Sequence, residues 1–234
     1  MNILAIDTST ETLALALSVS GNIWQVQISA GARHSELLMD WIDKLTVSAG
    51  LQPVDLDLVL CMKGPGSFTG LRIGYAAAKG LSASLGIPVK AVPTLDCIAV
   101  SNSTWPGITA PVLDAKKNSF FTAFYKNGIR ITDYMDASIQ EIASLLEKHN
   151  VSKNEPLFVS GPGSPLFLSQ IKTFLDGDAL FSDPFPSRGR ALEMLYLQEM
   201  LQIRDDYDKV ISKEGLFSGP LYIRKSDAEL NLEI

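Results

Sequence analysis

Twice in this chain a short apolar segment ends in aspartate, and each time a Gly-Pro-Gly follows a later apolar segment. The first pair is Asp7 with Gly64-Pro65-Gly66, and the second is Asp114 with Gly161-Pro162-Gly163. The order of elements between these landmarks also repeats. In the first copy, residues 2–6, 12–20 and 22–29 read as strands, 34–49 as an amphipathic helix, 56–62 as a strand, and 71–85 as a helix stopped by Gly86 and Pro88. In the second, 109–113 is a strand and 119–126 with 129–135 form a hairpin about Asn127-Gly128. Residues 138–148 form a helix with Ser138 and Glu141 spaced as a capping box; 157–160 is a strand and 166–175 a helix.

A twofold repeat of three strands, helix, strand, helix predicts an α/β protein of two ribonuclease-H-like lobes, the architecture of actin, sugar kinases and Hsp70. The sequence divides into an N-terminal lobe at 1–104 and a C-terminal lobe at 105–234, joined near 101–107. A tail follows, with an amphipathic helix at 191–203 and a last segment at 219–230. No apolar run reaches membrane-spanning length, and Asp7 follows the first apolar stretch with no basic segment ahead of it. Cys61 and Cys97 sit in apolar surroundings without CxxC spacing and read as reduced core residues. A cytoplasmic location is expected. Net charge is −6, and the longest basic run is Lys116-Lys117, so nucleic acid would be met only through a partner.

The junction at 64–74, GPGSFTGLRIG, joins a strand to a helix. Glycines permit a sharp turn there, Ser67 and Thr69 can cap the first helical turn, and the helix N-terminus favours an anion. A phosphate cradle and a tight, well-capped turn both answer to these residues. The P-loop lysine is missing, since Leu71 follows Gly70.

In the two-lobe architecture, acidic strand ends hold hydrated magnesium, and a glycine after the acid lets phosphate approach. Here Asp7 is followed by Thr8, Ser9 and Thr10, and Asp114 by Ala115, Lys116 and Lys117. Independent ATP hydrolysis is therefore not expected, and the simpler role for both aspartates is to accept turn N–H groups. Asp7, Thr8, Ser9, Ser67, Thr69 and Asp114 remain the residues nearest any nucleotide. His34 and His149 lack metal-ligand spacing, and Ser67 sits one place early for a nucleophile elbow. No metal site and no catalytic residue are assigned. His34 reads as a residue flanking its helix start.

The helix at 71–85 carries Gly74, Ala77, Ala78 and Gly80, and glycine inside a helix costs up to ~1 kcal/mol relative to alanine. Such small residues point to close approach, by the lobe's own sheet or by another helix. With the first helix they outline a candidate docking surface: Leu37, Leu38, Trp41, Ile42 and Leu45 on one element, Ile73, Gly74, Ala77, Ala78 and Leu81 on the other.

The segments AIDTSTE (5–11), RHSELL (33–38), GPGSFTGLRIG (64–74), KGLSASLGIPV (79–89), LDAKKNSFF (113–121) and PLYIRKSDAEL (220–230) resemble the TsaB (YeaZ) family. That resemblance implies a non-catalytic partner of TsaD, which transfers threonylcarbamoyl to adenosine beside the anticodon of tRNA. It implies docking through helices 33–49 and 71–85, either on TsaD or on a second copy when TsaD is absent. The ATPase TsaE joins the pair, ATP and magnesium enter only within the complex, and tRNA is met only there. The stretch 176–213 carries no motif of the family. An independent ATP-using enzyme of the sugar-kinase class, built on Asp7, Thr8, Ser67 and Asp114, is the alternative.

Overall fold

The structure, a computed structural model, describes residues 1–151, 155–175, 177–202, 212–213 and 219–223. Two compact units divide the chain. The first takes in Met1–Ser101 and the segment starting at Ser187; the second begins at Asn102 and runs to Pro186.

In the first unit, β1 (Ile3–Asp7), β2 (Thr12–Val19) and β3 (Asn22–Ser29) form an antiparallel meander. Helix α1 (His34–Ser48) leads to β4 (Leu58–Gly64), which lies parallel to β1. Helix α2 (Phe68–Leu85) then leads to β5 (Val89–Pro93), parallel to β4. Strand period two divides the side chains between two layers. Leu4, Ile6, Leu13, Leu15, Leu17, Val59 and Cys61 face α1 and α2, where they meet Leu38, Ile42, Leu45, Tyr75 and Ala78. The alternate residues Ala5, Ala14, Ala16, Leu58, Leu60 and Met62 share the other core with Cys97, Met194 and Leu195. Helices α3 (Thr94–Val100) and, after the second unit, α6 (Ala191–Gln202) cover that side. Three alanines on β1 and β2 give α6 room to lie close to the sheet.

The second unit repeats the order. Strands β6 (Ile108–Asp114), β7 (Ser119–Thr122), β8 (Tyr125–Lys126), β9 (Ile129–Arg130) and β10 (Met135–Ser138) precede α4 (Ile139–Lys148), β11 (Leu157–Ser160), α5 (Ser164–Ile171) and β12 (Leu180–Ser182). The sheet runs β10-β7-β6-β11-β12, and the first unit's runs β5-β4-β1-β2-β3. In each the opening strand is central, with a two-strand antiparallel continuation on one side and two parallel strands on the other. The ribonuclease-H-like arrangement is thus present twice. A short β13 (Ser212–Lys213) extends the first sheet beyond β5.

Several expectations need correction. The helix expected at 191–203 is α6, which packs on β1, β2 and α3, so it belongs to the first unit and not to a C-terminal lobe at 105–234. Each sheet has a fifth strand that the sequence reading did not separate: β5 lies just beyond the Gly86/Pro88 stop, and β12 is three residues long. The long hairpin at 119–135 is broken after Thr122: β7 pairs with β10, while Asn127 and Gly128, both at positive φ, turn β8 into β9. Helix α2 begins at Phe68, one residue after its Ser67 cap, not at Leu71. The segment from residue 224 to 230 lies outside the described residues.

Candidate functional site

The end of β1 meets the start of α2 with no space between them. A Cβ on Gly66 would lie 2.6 Å from the Ser9 carbonyl oxygen; one on Gly70 would collide with the Thr8 carbonyl oxygen, and one on Gly74 with Thr8 Oγ1. Three donors of this junction are likewise satisfied within the chain. Ser67 N–H donates to Ser9 O (2.7 Å), Gly70 N–H to Ser67 Oγ (3.2 Å), and Thr8 Oγ1 to Gly70 O (2.7 Å). The glycines of GPGSFTGLRIG therefore seat α2 on Thr8 and Ser9. Of the two readings left open by the sequence, the packed turn is the one built here.

Asp7 is fully buried. Its Oδ1 accepts Ser9 N–H (2.9 Å) and Ser9 Oγ (2.7 Å), and its Oδ2 accepts Arg190 N–H (2.8 Å). Burial pushes its carboxyl above the usual carboxylate range, against the opposing pull of Ser9 and Arg190. Ser67 and Thr69 are exposed on the first turn of α2.

Asp114 holds the same place in the second unit but is partly exposed. It accepts Lys116 N–H and Lys116 Nζ, both at 2.7 Å. Partial burial alone would raise its pKa; the Lys116 contacts together outweigh that and hold it below the usual range. Gly163 of the second Gly-Pro-Gly sits against Val112 O and Asp114 N at the end of β6, whereas Gly66 of the first sits on Ser9, in the turn just after β1.

Residues 187–190, to which the sequence reading gave no role, and Glu193 of α6 complete the first unit's acidic end. Glu193 Oε1 accepts Ser101 Oγ (2.8 Å) and pairs with Arg190 Nη1 (3.3 Å) and Arg188 Nε (3.5 Å). Among the described residues, no group of three or more His, Cys, Asp and Glu side chains is gathered to hold a metal ion. His34 is the first residue of α1 and is buried; the N-cap is Arg33, which makes no side-chain cap.

The ten helix residues expected at a docking surface fall into two sets. Leu38, Ile42, Leu45, Gly74 and Ala78 are buried within their own unit and present nothing to a partner. Leu37, Trp41, Ile73, Ala77 and Leu81 are half-buried and pack against that core from outside. Met39 on α1 and Phe68 on α2 add exposed apolar surface. Three cations lie over aromatic rings on these helices: Lys44 Nζ is 4.7 Å from the Trp41 ring, the Arg72 guanidinium 3.7 Å from Phe68, and Lys79 Nζ 5.6 Å from Tyr75. Among the described residues no helix is long and apolar enough to cross a membrane.

Comparison with known proteins places the chain. The family model of TsaD, tRNA N6-adenosine threonylcarbamoyltransferase, matches residues 22–182. The tRNA threonylcarbamoyladenosine biosynthesis protein TsaB of Bacillus subtilis is 30% identical over 98% of this chain and 96% of its own length. The Haemophilus influenzae TsaB is 24% identical over 96% of this chain and 94% of its own. The crystal structure of YeaZ from Pseudomonas aeruginosa shares the fold with a TM-score of 0.73 at 22% identity, covering 94% of this chain and 99% of that one. A match to TsaB along nearly the whole chain, inside the wider family that includes TsaD, establishes that this chain belongs to the TsaB (YeaZ) family.

Proposed function

We propose that this protein is the non-catalytic partner of TsaD in tRNA threonylcarbamoyladenosine biosynthesis, binding and activating the subunit that transfers the threonylcarbamoyl group. The observation that carries the reading is the use made of the acidic strand end. Both Asp7 oxygens already accept hydrogen bonds, and the space beside the Gly-Pro-Gly loop is filled by Thr8 and Ser9. A magnesium nucleotide does not fit these residues of the first unit, which also weakens the sugar-kinase alternative. The protein then takes no cofactor of its own, and ATP and magnesium act only within the assembled complex.

What the chain offers in place of an active site is the outer surface of α1 and α2, centred on Leu37, Trp41, Ile73, Ala77 and Leu81. That surface docks TsaD, or a second copy of this chain when TsaD is absent; TsaE joins the pair, and tRNA is reached through the complex in the cytoplasm. The test is to mix the purified chain with TsaD of the same organism and measure mass by light scattering after size exclusion, then assay transfer to tRNA with the remaining complex components. A one-to-one heterodimer and transfer that requires both proteins are expected. Transfer by this chain alone, or no association at micromolar concentration, overturns the proposal.

A further inference from the structure

Where the chain returns to the first unit, four residues lie across its antiparallel meander and touch all three strands. Ser187 O accepts Thr12 Oγ1 of β2 (2.9 Å), Gly189 N–H donates to Gln27 Oε1 of β3 (3.1 Å), and Arg190 N–H donates to Asp7 Oδ2 of β1 (2.8 Å). Gly189 is buried against Ala14 so closely that a Cβ would collide with the Ala14 Cβ; no other residue type fits there unless the segment lifts. Asp7 and Arg190 are 183 residues apart in sequence, so the contact is purely tertiary.

The geometry points to a strap: residues 187–190 are a self-supplied occupant of the acidic strand end, holding the Asp7 carboxylate closed to solvent-borne cations and fixing the start of α6. Missing glycine after Asp7 explains why phosphate is not cradled. The strap explains something separate, namely why the carboxylate itself is out of reach. The three bonds to the strands, the Gly189 fit and the contacts of Arg188 with Glu193 and of Arg190 with Glu193 and Ser101 hold it; none of these is a contact of the apolar core, so it can lift without opening the core beneath. The inference deepens the reading of a subunit without its own active site and rests on that reading for its purpose. Its geometry, however, is tested on the free chain.

Carbodiimide labelling of carboxylates, read by mass spectrometry, reports access to Asp7, and hydrogen exchange reports the Arg190 amide. In the parent protein Asp7 should stay unlabelled while exposed Asp55 reacts, and the Arg190 amide should be protected. Gly189→Ala should lift the strap, raising labelling of Asp7 and exchange at Arg190 by about tenfold or more, with amides of α1 and α2 unchanged. In that variant millimolar Mn²⁺ should broaden the Ser9 amide resonance, and in the parent it should not. Thr12→Val removes one strap bond without a clash and should produce a smaller rise in the same readouts, which keeps the test open if Gly189→Ala fails to fold. Asp7 reacting in the parent as fast as Asp55 overturns the inference, as does an Arg190 amide that stays protected in both variants. Neither result depends on TsaD or tRNA, so a failure here is distinct from a failure to activate.

Discussion

Gly70 and Thr8 interlock through their backbones: the place of a Gly70 Cβ is taken by the Thr8 carbonyl oxygen, and Thr8 donates its hydroxyl to the Gly70 carbonyl at 2.7 Å. The atom that a Gly70 Cβ would meet is backbone, so the contact cannot yield cheaply. Gly70→Ala is expected to destabilise the protein by about 3 kcal/mol through overpacking. Gly80, on the same helix, has nothing within 4 Å of its would-be Cβ. There alanine should stabilise by about 0.8 kcal/mol, from helix propensity alone. Urea unfolding of the two variants separates a glycine required by packing from one that is not.

Asp7 sets a sign for the pH dependence. Its folded pKa lies above the ordinary 3.8, because burial outweighs the bonds from Ser9 and Arg190. As pH rises past 3.8 the unfolded chain releases its proton first, so the stability that Asp7 contributes is whole below that value and is lost as pH climbs through the folded pKa. Asp114, with a lowered pKa, works in the opposite sense: its contribution is present above 3.8 and is lost as pH falls through its folded value. Measured by urea unfolding between about pH 4 and pH 7, the stability of wild type relative to Asp7→Asn should fall with rising pH. The difference relative to Asp114→Asn should be nearly flat over that range and shrink as pH is taken below 3.8.

Helix α4 supplies a local check. Ser138 Oγ accepts Glu141 N–H at 3.4 Å, and Glu141 Oε2 accepts Ser138 N–H at 2.8 Å, a reciprocal capping box read correctly from the sequence. Ser138→Ala should cost about 1 kcal/mol of stability by thermal or urea unfolding.

The doubled ribonuclease-H-like order was legible because its signals are local: alternation in β2 and β3, the box before α4, Asn127-Gly128 at positive φ, and Gly86 in the left-handed C-cap of α2. Strands β5 and β12 were not: β5 follows directly on the Gly86 and Pro88 that stop α2, and β12 has only three residues. The role of Gly66, Gly70 and Gly74 was legible only as a need for close approach. Whether phosphate or Thr8 and Ser9 does the approaching is decided by tertiary contact. The seat of α6 is of the same kind. Its apolar residues fit any sheet, and the features that draw it to the first unit are Ala5, Ala14 and Ala16 on distant strands together with the Asp7–Arg190 bond.

Two neighbouring alanines on α2 carry the test of the docking surface. Ala78 is fully buried beneath the helix, so Ala78→Glu places a carboxylate in the core and should unfold the unit, saying nothing about a partner. Ala77 is half-buried and lies outside the core against it, where a glutamate can extend its carboxylate toward water. Ala77→Glu should therefore fold with a circular-dichroism melt close to wild type. If α1 and α2 dock TsaD, that carboxylate becomes desolvated and unpaired in the complex, a cost of several kcal/mol. The affinity for TsaD, titrated by calorimetry, should drop about a hundredfold or more. An Ala77→Glu protein that folds and binds TsaD as tightly as wild type would remove this face from the interface.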